Sequence, residues 1–295
     1  MSFAALPALK RGDVVRVIAP SSPFDVEAFE RGVDLLGAHY EVRFDRGIFA
    51  REGYLAGSDA RRLEELSRAL DEEDTKAILC ARGGYGAMRL LPHLDPARVR
   101  RAEKLLVGFS DVTALHALFL RAGLRTLHGP MVARLGRDGE PALTPLFDAM
   151  EGAPPPELRG RGDAPRVEGP LLGGNLALVA SLVGTGQLPS FEGAILLLED
   201  VGERPYRLDR MLVQLELAGV FDRVVGLALG GFDDCHPGPD GVTAEDVLED
   251  LVARTGLPCV ADLPFGHGDV NLPIPLGVRA RLEGDRLLLL EGAVR

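Results

Sequence analysis

The feature that most constrains this chain is a rhythm in its first 130 residues. Short apolar runs end in small-residue turns, and each is followed by a stretch with helical spacing. Asp13-Val14-Val15-Arg16-Val17-Ile18 closes in Ala19-Pro20-Ser21-Ser22-Pro23, and Val26 to Leu36 then repeats apolar residues at helical intervals. A second strand is read at Tyr40 to Phe44, and Ser58-Asp59 opens a helix to about Leu70 with Leu63, Leu66 and Leu70 on its dry face. Ala77-Ile78-Leu79-Cys80-Ala81 stops at Arg82-Gly83-Gly84-Tyr85-Gly86 before a helix through Leu91. Lys104 to Val107 runs into Gly108-Phe109-Ser110-Asp111 and straight into another helix. Such alternation predicts an α/β fold, a mostly parallel sheet with helices on both faces, whose functional residues gather outside the carboxyl ends of the strands. The turns after three of these strands share that edge and are expected to converge.

At 295 residues the chain has room for two domains. The Pro-, Gly- and charge-rich stretch at 151–168 reads as a linker between a domain at 1–150 and another at 169–295. The later part is mixed α/β. Ala194 to Leu198 is a strand ending in Glu199-Asp200, Tyr206 to Leu217 and Thr243 to Arg254 are helices, and Val224 to Leu229 is a strand. Val278 to Leu282 and Arg286 to Leu290, split by Glu283-Gly284-Asp285, read as a terminal hairpin. The net charge of −11 argues against a nucleic-acid partner, since phosphate backbones are bound by clustered Lys and Arg. No run approaches the roughly 20 apolar residues of a membrane span, so no membrane partner is expected. The N-terminal charges, Lys10 and Arg11, follow the short apolar stretch instead of preceding it, unlike a secretory signal. Cys80, Cys235 and Cys259 are odd in number and widely spaced, which points to a reducing, cytoplasmic compartment.

A strand, a sharp turn and a helix around Ser110 present a hydroxyl at the end of the sheet beside free backbone N–H groups, the parts of a nucleophile and half an oxyanion hole. The motif departs from Gly-x-Ser-x-Gly, with Val112-Thr113 where the second glycine would fall, and Ser110 or Asp111 as a helix cap is the competing reading. The glycine pair Gly83-Gly84 can bring a second amide to the same spot. It is no phosphate loop, because neither the Walker nor the dinucleotide spacing is met.

A serine nucleophile needs a base. His39, His93 and His116 lie in or beside predicted helices and read as structural, while His128 follows the elbow helix by one strand. His236 sits in a polar loop that fits no common zinc spacing, so no metal and no cofactor is assigned. His267, between Gly266 and Gly268 on a Pro-rich coil, is the candidate base. The orienting acid is Glu199, Asp200 or Glu203, among which pattern alone does not choose.

Cys80-Ala81-Arg82-Gly83-Gly84-Tyr85-Gly86, Gly108-Phe109-Ser110-Asp111, His128-Gly129-Pro130, Gly173-Gly174-Asn175-Leu176, Leu198-Glu199-Asp200-Val201-Gly202-Glu203 and Gly266-His267-Gly268 occur in this order. Together they resemble the LD-carboxypeptidase family of serine peptidases, which includes the microcin C self-immunity peptidases. The resemblance implies a flavodoxin-like N-terminal domain related to class I glutamine amidotransferases, a C-terminal domain of different fold, and a homodimer. It implies a Ser110–Glu199–His267 triad, and so favours Glu199. The implied substrate is a cytoplasmic muropeptide tetrapeptide from which terminal D-alanine is cut at an L,D bond. On that reading the oxyanion faces the backbone N–H of Gly84 and Asp111, Arg82 takes the substrate carboxylate with Arg204 and Arg207 as alternatives, and Asn175 and Tyr206 touch substrate.

Three other readings compete. An aminoacyl-nucleotide hydrolase would want an aromatic platform for its purine, and the chain has no Trp and four Tyr. A non-catalytic muropeptide-binding module would not need Ser110, Glu199 and His267 together, and a thiol amidotransferase would need Cys where Ser110 stands.

Overall fold

The structure, a computed structural model, describes residues 3–295. The chain divides into two units: one runs to Pro154 and regains the chain at Leu272–Leu276 and Gly292–Arg295, the other holds Pro155–Asn271 and Gly277–Glu291. Among the described residues no helix is long and apolar enough to cross a membrane.

The first unit opens with β1 (Val14–Ile18), buried along its whole length as a strand covered on both faces must be. Then come α1 (Val26–Gly37), β2 (Glu41–Arg43), α2 (Asp59–Asp71) and β3 (Thr75–Cys80). Asp25 and Ser58 cap the two helices, accepting from the amides of Ala28 and Arg61. A 3-10 turn at Ala87–His93 leads to α3 (Pro96–Ala102) and β4 (Leu105–Gly108). Ser110–Val112 form another 3-10 turn before α4 (Thr113–Arg121), and β5 (Thr126–His128), α5 (Val132–Asp138) and α6 (Glu140–Glu151) complete the run. The strands β2, β1, β3, β4 and β5 lie side by side and parallel, in the flavodoxin-like order 2-1-3-4-5. Helix α1 meets α5 through bare backbone. A Cβ on Gly136 would fall 1.7 Å from the Ala28 carbonyl oxygen, and one on Gly32 would fall 2.1 Å from that of Val132.

The second unit begins where a linker was expected. Residues Glu157–Asn175 form one long strand, β6, followed by α7 (Leu176–Leu182), β7 (Ile195–Val201), α8 (Pro205–Leu217), β8 (Gly226–Asp233), α9 (Ala244–Thr255) and β9 (Cys259–Val260). Strand β10 (Ile274–Leu276) belongs to the first unit, where it pairs antiparallel with β5, and β11 (Arg279–Leu289) returns to the second. The second sheet has the order β11-β6-β7-β8-β9, parallel except for the β11–β6 pair. Its charge-rich opening residues look like linker because one face of the β6–β11 ribbon is wet: Glu168 pairs with Arg166, Arg279 and Arg281, and Glu157 with Arg286. The expected terminal hairpin is instead this single strand β11, with Glu283-Gly284-Asp285 absorbed as register shifts opposite β6.

Candidate active site

In the first unit the three turns do converge. Ser110 follows β4 with φ of +63°, a left-handed conformation rare for a residue with a side chain and a strain that surrounding structure must hold. The holder is its neighbour. Asp111 is fully buried, and its Oδ2 accepts from the Ser21 hydroxyl at 2.6 Å and from the Ala87 amide at 2.8 Å. One carboxylate therefore ties together the turns after β1, β3 and β4. Burial pushes the Asp111 carboxyl up, against the hydrogen bonds from Ser21 and the Ala87 and Gly86 amides. A second tie runs between the first two turns: the Ser22 amide donates to the Gly83 carbonyl at 3.2 Å, and the Tyr85 amide to the Ser22 hydroxyl at 3.1 Å.

The glycine pair keeps space clear beside the nucleophile. A Cβ on Gly83 would lie 2.9 Å from Ser110 Cβ, 3.2 Å from its Oγ and 3.3 Å from the Asp111 amide nitrogen, so any side chain there would fill the ground between hydroxyl and amide. Gly84 packs against Ser22 with φ of +104°. Below the turn, His116 is fully buried with Nε2 at 2.8 Å from the Gly108 oxygen, and burial pushes it down to about 3, so it stays neutral. His128 is buried too, its ring 5.7 Å from that of Phe109.

In the second unit, Glu199 lies near the end of β7, in parallel register with Asn175 at the end of β6, and is wholly buried. Its Oε2 lies 2.6 Å from Nδ1 of His267. A carboxylate can only accept, so Nδ1 is the donor, which in the neutral imidazole leaves the lone pair on Nε2. The His267 side chain is 18% exposed, enough for a reactant to meet it. Both flanking glycines have local causes. A Cβ on Gly266, at φ of +120°, would press on Glu199 3.2 Å from Oε2, and one on Gly268 would fall 2.7 Å from Asp233 Oδ1. The Asn271 side chain fixes the loop by accepting from the Gly266 amide at 3.1 Å.

The other acids are engaged elsewhere. Asp200 accepts from the Asn175 side chain at 3.0 Å and the Ala177 amide at 2.9 Å, while Glu203 pairs with Arg207 at 2.9 Å. Burial pushes Asp200 up to about 6, with the Glu199 charge adding to it. Asn175, buried, also caps α7 by accepting from the Leu178 amide. Tyr206 stands exposed on the first turn of α8 with the Arg210 guanidinium 5.3 Å from its ring centre, and Arg204 donates to the carbonyls of His236 and Pro237. Arg82 is exposed and donates to the Pro23 carbonyl at 2.6 Å. Sequence reasoning placed the turn of Ser21 and Ser22 at this edge but missed the Asp111 carboxylate as their anchor, and it missed Asp233 and Asn271. A Ser-Ser pair in a strand-end turn was the only sign of the first, and nothing in the pattern marked the other two.

A strained serine on a strand–turn–helix and a histidine oriented by a buried carboxylate are each features that serine hydrolases use. Comparison with known proteins narrows that class. The family model of the LD-carboxypeptidase N-terminal domain matches residues 15–129, and that of the LD-carboxypeptidase C-terminal domain matches residues 168–282. The chain is 39% identical over 290 residues to the murein tetrapeptide carboxypeptidase of Pseudomonas aeruginosa, covering 92% of this chain and 94% of that one. It superposes on the crystal structure of a muramoyltetrapeptide carboxypeptidase from Oxalobacter formigenes with a TM-score of 0.83, at 31% identity over 93% of this chain and 97% of that one. The fold is shared with MccF, solved in complex with glutamyl sulfamoyl guanosine, at a TM-score of 0.87 with 21% identity and 99% of each chain covered. The chain belongs to the LD-carboxypeptidase family and is a serine-type carboxypeptidase.

Proposed function

We propose that the enzyme releases the terminal D-alanine of muropeptide tetrapeptides by hydrolysing the L,D bond, and that Ser110, Glu199 and His267 are its triad. The 2.6 Å contact between Glu199 and His267 carries the reading, because a histidine held in one tautomer by a buried carboxylate is what a serine nucleophile requires. The murein tetrapeptide named for the Pseudomonas aeruginosa relative supports the choice of substrate.

In this scheme His267 Nε2 takes the Ser110 proton as Oγ attacks the carbonyl carbon at the L-centre of the third residue. The oxyanion is met by the backbone N–H groups of Asp111 and Gly84, donors whose individual loss costs about 100- to 1,000-fold in rate. Collapse breaks the C–N bond, and D-alanine leaves with the proton from His267. Water, deprotonated by the same nitrogen, then clears the acyl-enzyme and restores Ser110. Arg82 is assigned to the substrate carboxylate, with Asn175 and Tyr206 as further substrate contacts. The family resemblance further supports a homodimeric enzyme of cytoplasmic murein recycling, which sedimentation at twice the 31.6 kDa chain mass checks for the dimer.

The test is chromatographic detection of D-alanine from L-Ala-γ-D-Glu-meso-diaminopimelate-D-Ala, alongside the analogue ending in L-alanine. Release from the first alone is expected. A folded protein that releases neither refutes the assignment and turns attention to aminoacyl-nucleotide substrates.

A further inference from the structure

One cleft in the first unit is marked by charge. It has a volume of about 520 Å³, and Ser22, Asp25, Arg51, Tyr54 and Arg82 are among its lining residues. Ser22 ties it to the nucleophile turn, through its bonds to Gly83 and Tyr85 and through Gly83 to Ser110. Two guanidinium groups reach this small space from different segments, the loop before α2 and the turn after β3. Each is anchored on one neighbouring carbonyl: Arg82 donates to Pro23 at 2.6 Å, and Arg51 to Phe24 at 3.4 Å. Among the described residues neither arginine pairs with a carboxylate. Asp25, the acid in the lining, spends Oδ1 on the Ala28 amide as the cap of α1.

In a chain of net charge −11, two adjacent unpaired guanidinium groups are a local positive site. Anchoring at one nitrogen leaves further N–H donors of each planar fork, which suits a carboxylate better than a point charge would. Tyr54, which also lines the cleft, meets Tyr85 edge to face with ring centres 5.6 Å apart.

We propose that Arg51 and Arg82 together form a carboxylate-binding site that anchors the substrate beside Ser110. The proposal adds Arg51 to the site and rests on the reading of the tetrapeptide as substrate. That peptide offers three free carboxylates: on D-glutamate, on the distal centre of diaminopimelate, and on the terminal D-alanine.

Steady-state kinetics of the wild type, Arg51→Ala, Arg82→Ala and Arg51→Lys test it on the tetrapeptide and on three analogues, each with one carboxylate replaced by a carboxamide. Both alanine variants are expected to raise KM about 10- to 100-fold, as loss of a charge-assisted hydrogen bond does, with kcat within about threefold. Arg51→Lys recovers part of the loss. The analogue lacking the bound carboxylate shows the raised KM already in the wild type and no further change in the variants, which identifies the carboxylate. Unchanged KM in both alanine variants, or three analogues that all keep full sensitivity to them, overturns the site. Both arginines are exposed, and unchanged thermal melting confirms that the variants fold. If the wild type releases no D-alanine, the substrate reading fails by itself, and the uncleaved tetrapeptide becomes a calorimetric probe. Binding to the wild type that is lost in Arg51→Ala supports the site, whereas equal binding or none overturns it.

Discussion

The turn around Ser110 and the pair formed by Glu199 and His267 solve different problems. Ser110 is placed by neighbours in sequence: β4, a 3-10 turn whose first residue is strained, and α4 follow closely, and the buried Asp111 beside it clamps the rest of the edge. His267 is placed by a partner 68 residues away, on a loop whose two glycines exist so that a carboxylate and Asp233 can come close. A nucleophile can be built from local strain, but a base needs a long-range hydrogen bond to hold one tautomer. The two regions should therefore fail differently. Damage to the carboxylate that clamps the turn costs stability as well as rate, while damage at the pair costs rate with little change in folding.

The largest effect is expected from Ser110→Ala, with D-alanine release falling about 10⁴-fold or more and melting unchanged or slightly raised, since alanine inherits the strained backbone without a hydroxyl. Glu199→Gln should lose about 10²- to 10⁴-fold in kcat, because an amide that donates towards Nδ1 favours the wrong tautomer. Asp111→Ala sharpens the contrast. It should lower kcat about 10- to 100-fold and also lower the melting temperature, since two hydrogen bonds to a buried carboxylate vanish at once. Retained melting in that variant would show that the three turns hold without their clamp.

The smallest effect separates the units by pH. His116, held at about 3 against an ordinary 6.5, gives stability that is complete above pH 6.5 and lost as pH falls towards 3. Asp200, raised to about 6 from 3.8, runs the other way, its contribution complete below about pH 3.8 and lost as pH rises through 6. Melting curves should accordingly lose part of their acid slope in His116→Gln, and part of their decline between pH 4 and 6 in Asp200→Asn.

Much of the first unit was legible because its information is local. Apolar runs such as Val14 to Ile18 and the helix cap at Ser58 mark their elements directly, and parallel order follows from the alternation. The linker reading of 151–168 failed where composition competes with pairing: Glu157, Arg166 and Glu168 are charged because they sit on the wet face of β6, and only the partner strand β11 reveals that. Glu199 could not be told from Asp200 by pattern, since the choice depends on which side of a strand end faces residue 267. The Asp111 clamp was equally hidden, as a buried carboxylate is explained only by Ser21 and Ala87 arriving from elsewhere in the chain.

The central claim is that Ser110 is activated by His267 and Glu199. The most direct test is labelling with an organofluorophosphonate, followed by peptide mapping, in the wild type, Glu199→Gln and His267→Ala. The account predicts a single modified residue, Ser110, in the wild type and labelling at least about 100-fold slower in both variants. Labelling at another residue, or equal rates in all three proteins, would contradict it.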